Sequence, residues 1–228
     1  MDMSKFMLIR HGESVWNGER RIQGHLDPPL SLRGRRQADL LAARLQADGP
    51  HSVAAIYTSP LRRAAETAER LGPAFGLPIA PEPDLREMCL GAWEGMTVAE
   101  IRMAFPGAYE RWLEDPATAP APGGEGLAAF SARVVRAFEG MRARHAGAEI
   151  VVVSHGGAIK ALLCHVLGLD PRFMFRIKQD NTAVNQVELD GGVRRVILVN
   201  DTCHLAPAGG HLAPRDVLTD AETAETTF

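Results

Sequence analysis

Two short apolar runs in this chain each end in a histidine followed by a glycine. The first, FMLIRHG, ends in Arg10 and His11, and the second, VVVSHGG, contains His155 in the matching position. Short apolar runs predict buried strands, and open α/β sheets bind ligands at the carboxyl ends of their strands. If the two strands are parallel neighbours, His11 and His155 lie side by side. Hydrogen bonds to the backbone would explain either histidine alone, whereas the repeated context favours a shared site.

A metal site is the first alternative for a pair of histidines. Neither lies at a spacing typical of zinc ligands, and Arg10 beside His11 would repel a divalent cation. The remaining histidines form no cluster of ligands in the sequence, and no glycine-rich dinucleotide or P-loop fingerprint is present. We therefore expect neither a metal ion nor an organic cofactor.

The composition is that of a soluble domain with a substantial core. The 228 residues are 46% hydrophobic and 23% charged, an ordinary balance. The net charge of −3 gives no general attraction to nucleic acid or to anionic membranes, so neither is expected as a partner. Cys89, Cys164 and Cys203 are odd in number and widely spaced, which argues against a disulfide framework. No signal peptide or membrane-length apolar run is seen, and a cytoplasmic location is expected.

Strand and helix patterns alternate along the chain. The apolar runs predict strands at 6–9, 53–59 and 149–157. Ser31 is expected to cap a helix that stops at Gly49, and further helices are predicted at 60–71, 97–105, 107–114, 127–145 and 158–168. This alternation predicts an α/β fold, a three-layer α/β/α sandwich with a mainly parallel central sheet.

Three further segments complete the expected organisation. A proline-rich connection spans 73–83, and residues 182–200 predict a hairpin with an Asp-Gly turn at 190–191. Residues 1–206 are expected to form one domain. Residues 207–228 are rich in small, acidic and threonine residues without periodicity, which predicts a disordered tail.

Four segments carry a resemblance to a known family. RHGESVWN, SPLRRAAETA, LREMCLGAWEG and SHGG, in this order, resemble the motifs of the histidine phosphatase superfamily, which contains the cofactor-dependent phosphoglycerate mutases. RIQGHLDPPLSLRGRRQA is similar to the segment that follows the first motif in those proteins. The resemblance covers about residues 5–205 and implies a phosphoglycerate mutase-like fold.

The resemblance also implies a role for individual residues. His11 would be the nucleophile that forms a phosphohistidine, and Glu87 would be the proton donor. Arg10, Arg63 and His155 would bind the phosphoryl group that is transferred. The substrate-binding set that the resemblance implies is completed by Asn17, Gln23, Gly24 and Gly156.

These residue types suit phosphoryl transfer. The reaction needs positive donors around three phosphoryl oxygens and an in-line nucleophile, and the planar guanidinium of arginine makes bidentate contacts with phosphate. Repulsion by the neighbouring arginines should keep His11 deprotonated. Gly12 and Gly156 are expected to let a ligand approach the backbone closely.

The superfamily contains mutases, which return the phosphoryl group to a substrate, and phosphatases, which give it to water. Val98, Leu90 and Gly157 stand where the mutases carry a lysine, a tyrosine and an asparagine. Fewer covering cations would leave a phosphohistidine open to water. We therefore expect a phosphatase of small phosphomonoesters, broad or narrow in substrate range. A bisphosphoglycerate-dependent phosphoglycerate mutase is the alternative, and a non-catalytic phospho-ligand-binding domain is a third possibility.

The leaving group is expected to be recognised by residues 97–126. Trp16, Gln23, Trp93 and Glu125 are expected near the mouth of the site, although packing is an equal explanation for the two tryptophans. The expected partner is a small phosphorylated metabolite. Because many members of the resembling family pair, a homodimer is a further expectation.

Overall fold

The computed structural model describes residues 3–49 and 51–206, so the predicted tail at 207–228 lies outside the described residues. Its strands are β1 (Ser4–Arg10), β2 (Val53–Thr58), β3 (Ile79–Pro81), β4 (Glu149–Ser154), β5 (Val184–Asp190) and β6 (Val193–Asp201). Its α-helices are α1 (Val15–Gly18), α2 (Leu32–Ala47), α3 (Arg62–Phe75), α4 (Val98–Ala104), α5 (Ala108–Glu114), α6 (Leu127–Arg144) and α7 (Gly156–Leu167). Of these helices, none is both long and apolar enough to cross a bilayer.

The strands form a mixed sheet with the order β3-β2-β4-β1-β5-β6. The four strands from β3 to β1 run parallel, whereas β5 and β6 are an antiparallel hairpin added beside β1. β1 and β4 are direct neighbours, and their register pairs Arg10 with Ser154. The residues that follow these two strands therefore emerge together at one edge of the sheet.

The central strands are buried on both faces. In β1, Phe6 and Leu8 join the larger apolar core with α6 and α7, while Met7 and Ile9 join the smaller core with α2 and α3. Parallel strands covered by helices on both sides read as continuous apolar runs rather than as alternating ones. The predicted three-layer α/β/α sandwich with a mainly parallel sheet is confirmed.

The helix after β2 is longer than predicted. It continues through Pro73 to Phe75, whereas a stop at residue 71 and a proline-rich connection were expected. Pro73 lies in the last turn and removes one backbone donor. The helix persists because Phe75 and the following Leu77 pack against the smaller core, and Gly76 ends it in the left-handed conformation at φ 66°.

Three local details also differ from the expectations. Ile79–Pro81 forms the edge strand β3, where a proline is tolerated because one side of the strand makes no ladder hydrogen bonds. Asp190 pairs with Val193, so the two-residue turn of the hairpin is at 191–192 rather than at 190–191. The strand predicted at 149–157 ends at Ser154, because α7 begins immediately after His155.

Candidate active site

The two histidines predicted to share a site are adjacent. The rings of His11 and His155 lie 5.2 Å apart between centroids, nearly edge to face. The backbone N–H of His11 donates to the carbonyl of Ser154 at 2.9 Å, which extends the pairing of β1 with β4 beyond the last residue of β1. Both rings are buried. Sheet topology therefore brings together two residues that are 144 positions apart in sequence.

The hydrogen bonding of His11 fixes which ring nitrogen is available for chemistry. Nδ1 lies 2.6 Å from the carbonyl oxygen of Gly12, and a carbonyl can only accept, so Nδ1 carries the proton and Nε2 keeps its lone pair. Burial holds the pKa of His11 well below its usual value, with further lowering by the positive charges of Arg63 and Arg10. The sequence argument named only the arginines, whereas burial is the larger cause.

Arg63 is fixed by a loop that precedes α2. Its Nη1 donates to the carbonyl of Leu26 and its Nη2 to that of Gly24, both at 2.9 Å. Burial lowers the pKa of Arg63 to about 10, against the opposing effect of Glu87. Its Nε–H is buried without a hydrogen-bond partner within 3–49 and 51–206. A guanidinium held at two nitrogens with a third donor unused is suited to binding an anion.

Arg10 follows the same pattern from the other side of His11. Its Nη1 donates to the carbonyl of Gln179, which lies in the segment before β5. Burial is again the main cause that lowers its pKa, and Glu87 and Asp180 oppose that effect. The Nε–H of Arg10 is also buried without a partner in the described ranges.

His155 is the N-terminal cap residue of α7. Its Nε2 lies 2.8 Å from the hydroxyl of Ser59, and its Nδ1 is buried without a hydrogen-bond partner in the part of the chain that the structure describes. Burial keeps the pKa of His155 well below its usual value, helped by the charge of Arg63. The ring is therefore neutral in the empty site at neutral pH.

Glu87 faces this group from an irregular segment. One carboxylate oxygen accepts from the N–H of Met88 at 2.8 Å, and the other accepts from the N–H of Gly157 at 2.9 Å. A Cβ atom at Gly157 would lie 2.2 Å from Oε1 of Glu87, far inside van der Waals contact. Glycine at this position is what allows the carboxylate to rest against the start of α7.

The glycines next to the histidines differ in how much room a side chain would have. A Cβ at Gly12 would lie 2.5 Å from the carbonyl oxygen of Gly34, so Gly12 permits close packing of the turn after β1 against α2. A Cβ at Gly156 would lie 3.5 Å from Nε of Arg10, an ordinary contact. The approach of a ligand to the backbone at these two glycines stays a prediction.

A pocket open to solvent lies beside the two histidines. The predicted site residues His11, Gln23, Gly24, Arg63 and Glu87 line it. The rest of the wall comes from Met88, Leu90, Gly157, Lys160, Met174 and Phe175.

The wall of the pocket comes from other segments than the one expected to recognise the leaving group. Residues 97–126 were expected to recognise it, yet none of them lines the pocket. Met174 and Phe175 belong to a short 3₁₀ helix that spans Pro171–Arg176 after α7, and the fold brings this helix over the site. Nothing in the local sequence pattern of 171–176 indicates that position.

Lys160 is a pocket residue that the sequence analysis missed. It is buried, and burial together with the charge of Arg10 lowers its pKa to about 8. Its position four residues after Gly156 places it on the same helix face as the start of α7. A single cation within the otherwise apolar stretch AIKALL was the signal that could have identified it, since buried lysines are rare.

Several other predicted residues lie elsewhere. Asn17 does not line the pocket, and its Oδ1 accepts from the N–H and the hydroxyl of Ser14 in the cap of α1. Trp93 is buried in the core against Tyr109 and Trp112, so the packing explanation is correct for it. Trp16 also lies outside the pocket wall.

The described residues contain no group of three or more histidine, cysteine, aspartate or glutamate side chains arranged to hold a metal ion. The cationic groups around His11 would themselves oppose a divalent cation. The arrangement instead offers a neutral imidazole nitrogen, the guanidinium of Arg63 and a carboxylate at one pocket, and the charge of the buried Arg10 also acts on His11. These groups are able to bind a phosphoryl group, accept it on nitrogen and exchange a proton with an oxygen.

Known proteins resemble this chain over most of its length. Phosphoserine phosphatase 1 of Hydrogenobacter thermophilus is 37% identical over 203 residues, which cover 89% of this chain and 95% of that protein. A probable phosphoglycerate mutase, GpmB of Yersinia enterocolitica, is 33% identical over 186 residues, covering 82% and 85%.

Solved structures agree with the sequence relatives. YhfR of Bacillus stearothermophilus superposes with a TM-score of 0.82 at 35% identity, covering 89% of this chain and 100% of that one. The mycobacterial glucosyl-3-phosphoglycerate phosphatase Rv2419c, in a complex with VO3, gives a TM-score of 0.77 at 33% identity, covering 86% and 98%. The family model of the histidine phosphatase superfamily, branch 1, matches residues 6–202. The chain therefore belongs to the histidine phosphatase superfamily.

Proposed function

We propose that the protein is a metal-independent phosphatase of small phosphomonoesters that works through a phosphohistidine on His11. The observation that carries the proposal is the His11 ring. Its Nδ1–H is held by the carbonyl of Gly12, burial keeps its pKa low, and Nε2 is therefore a nucleophile that needs no base to activate it.

The first half-reaction transfers the phosphoryl group from substrate to enzyme. Nε2 of His11 attacks phosphorus, the P–O bond to the leaving group breaks, and the protonated carboxyl of Glu87 gives its proton to the departing oxygen. Arg10, Arg63 and His155 surround the phosphoryl oxygens, where fixed positive donors stabilise the charge of the transition state.

The second half-reaction returns His11 to its starting state. Glu87, now a carboxylate, takes a proton from a water molecule, whose oxygen attacks phosphorus. The N–P bond breaks, releasing inorganic phosphate and a neutral imidazole whose Nδ1–H again donates to Gly12. Each proton moves to or from one carboxylate, so no metal-bound water is needed.

Hydrolysis is favoured over mutase activity by the pocket wall. Leu90, Met174 and Phe175 are apolar, and among the described residues that line the pocket Arg63 is the one arginine, whereas a mutase must retain a ligand with two phosphate groups. The similarity of this chain to a phosphoserine phosphatase and to a glucosyl-3-phosphoglycerate phosphatase also supports hydrolysis. A bisphosphoglycerate-dependent mutase is the alternative, favoured by the resemblance to a probable phosphoglycerate mutase.

The test is phosphate release from a panel of phosphomonoesters in the presence of EDTA. The panel contains phosphoserine, 3-phosphoglycerate, a sugar phosphate and an aryl phosphate, and His11→Asn is compared with the wild type. His51→Asn is the matched control, because His51 lies away from the pocket and contacts the carbonyl of Leu45 at 2.9 Å. We expect EDTA-resistant turnover that is lost only in His11→Asn, with an acid-labile phosphoenzyme trapped in the wild type.

Other outcomes identify the alternatives. Turnover that requires a bisphosphoglycerate primer and conserves organic phosphate would identify a mutase. Tight phosphate binding without turnover by either route would identify a non-catalytic phospho-ligand-binding domain. Turnover abolished by EDTA and retained in His11→Asn would refute the proposed mechanism.

A further inference from the structure

The guanidinium of Arg133, on α6 outside the pocket, is bound to the segment that carries Glu87. Its Nη1 donates to the carbonyls of Asp84 and Arg86 at 2.8 and 2.7 Å, and its Nη2 donates to the carbonyl of Glu87 at 2.6 Å. One side chain thus makes hydrogen bonds to three of the four backbone carbonyls of residues 84–87. The segment needs such a partner because it has no strand ladder, only the 3₁₀ turn Pro83–Leu85.

Glu125 holds this arginine in place. Its Oε2 accepts from Nε of Arg133 at 3.1 Å and its Oε1 accepts from Nη2 at 2.5 Å. The same Oε1 accepts from the N–H of Cys89 at 2.8 Å. Glu125 therefore fixes the chain on both sides of Glu87, on one side through Arg133 and on the other side directly.

The guanidinium uses every donor it has. Three contacts to backbone carbonyls and two to Glu125 account for the five N–H groups of an arginine. The side chains of Arg133 and Glu125 are only 12% and 19% exposed, so solvent screens the pair weakly. A lysine offers three donors on a point charge and cannot reproduce this geometry.

We propose that Arg133, oriented by Glu125, is a positioning residue that sets the place of the Glu87 carboxyl relative to the leaving oxygen. It touches no reacting atom and acts through the backbone of 84–87. The inference rests on the proposed function of Glu87 as proton donor. It also assigns Glu125, which was expected near the mouth of the site, to the support of the acid rather than to contact with substrate.

Substrates with different leaving groups distinguish a loss of Glu87 positioning from a general loss of folded protein. A general acid contributes to the departure of a basic alkoxide and contributes little to that of an acidic nitrophenolate, which leaves without a proton. Damage to the position of Glu87 therefore slows the formation of the phosphoenzyme selectively for alkyl esters, and kcat/KM reports that half-reaction without the later hydrolysis that both esters share. A general loss of folded protein slows both ester classes alike.

The experiment measures kcat/KM for 3-phosphoglycerate and for p-nitrophenyl phosphate in Arg133→Lys, Arg133→Met and Glu125→Gln. The matched control is Arg136→Met, since Arg136 is one turn along α6, 67% exposed, and pairs with the side chain of Asp84 at 3.0 Å. We expect the alkyl ester to lose about 10- to 100-fold in the Arg133 variants, a partial loss of the roughly 10²- to 10⁴-fold that general acid catalysis contributes. The aryl ester should change by less than about threefold, and Arg136→Met should match the wild type with both.

Glu87→Gln, measured in parallel, separates the two levels of inference. If Glu87→Gln slows the alkyl ester selectively and the Arg133 variants slow both esters equally or neither, the positioning role is refuted while the proton donor stands. If Glu87→Gln shows no selectivity, the donor role fails and the positioning role fails with it. Should Arg133→Met not fold, Arg133→Lys and Glu125→Gln, which keep the side-chain volume, decide the question by the same ratio.

Discussion

Acid should destabilise this protein through two particular residues, His11 and His155. Both rings are buried and their pKa values are held well below the usual one, chiefly by burial and then by Arg63. The unfolded chain takes up a proton at each histidine once the pH falls below about 6.5, whereas the folded protein does not. The unfolded state then binds more protons, so the free energy of unfolding falls as the pH is lowered through this window.

The size of the effect follows from the number of groups. A histidine that stays neutral in the folded state loses about 1.4 kcal/mol of stability between pH 7.5 and pH 5.5, and two lose about 3 kcal/mol. Because both rings are buried, screening by solvent does not reduce this figure appreciably. A loss of this size is a large fraction of the stability of an ordinary domain.

Urea unfolding of the wild type and of the double variant His11→Asn, His155→Asn at a series of pH values measures the effect. Subtracting the two curves removes the contribution of carboxylates and of the cavity left by each substitution, because only the dependence on pH is compared. The wild type should lose about 3 kcal/mol more than the variant between pH 7.5 and 5.5. Parallel curves would show that the histidines take up protons in the folded protein as readily as in the unfolded chain, and His11 would then not be held neutral by its surroundings.

Two further predictions concern the groups around Glu87. Gly157→Ala places a Cβ 2.2 Å from Oε1 of Glu87, so the carboxylate must move. Steady-state kinetics should show kcat/KM for an alkyl phosphate reduced at least about tenfold, with that for an aryl phosphate largely spared. Equal effects on the two substrates would contradict this. Lys160 has a pKa of about 8 in the folded protein and about 10.4 when unfolded, so the unfolded state binds more protons between those values. Wild-type stability should therefore rise by about 2 kcal/mol relative to Lys160→Met between pH 7.5 and 9.5, measured by urea unfolding, and no relative change would show that the amine titrates normally.

The sequence was sufficient to predict that His11 and His155 lie side by side. Each follows a continuous apolar run, which is typical of a parallel strand buried on both faces, and neighbouring parallel strands end at the same edge of the sheet. His11, Arg63, Glu87, Gln23 and Gly24 were predicted as a group and do line one pocket. The assignment came from ordered motifs, each tied to the end of an element. The catalytic roles of these residues stay predictions until the variants are measured.

Some features of the fold and of the pocket could not be predicted from the sequence, because they depend on contacts between segments that are distant in the chain. Met174 and Phe175 reach the pocket only because a 3₁₀ helix folds back over it, and no periodicity marks them as pocket residues. The helix through Pro73 persists because tertiary packing of Phe75 outweighs the local preference of proline. Arg133 was hidden in an amphipathic helix, where a charged side chain is usually solvated.

The features that weaken the folded state are also those that suit it to phosphate. Burial lowers the pKa values of Arg10 and Arg63, which means that keeping their charges inside the folded protein costs free energy. The opposing carboxylate of Glu87 offsets this only in part. Each arginine also keeps a buried Nε–H, and His155 keeps Nδ1, without a partner among the described residues. A phosphoryl dianion would supply both a negative charge for the two guanidinium groups and acceptors for their Nε–H donors. The free energy gained from these contacts would then act at the phosphorus atom, where the bond to the leaving group must break.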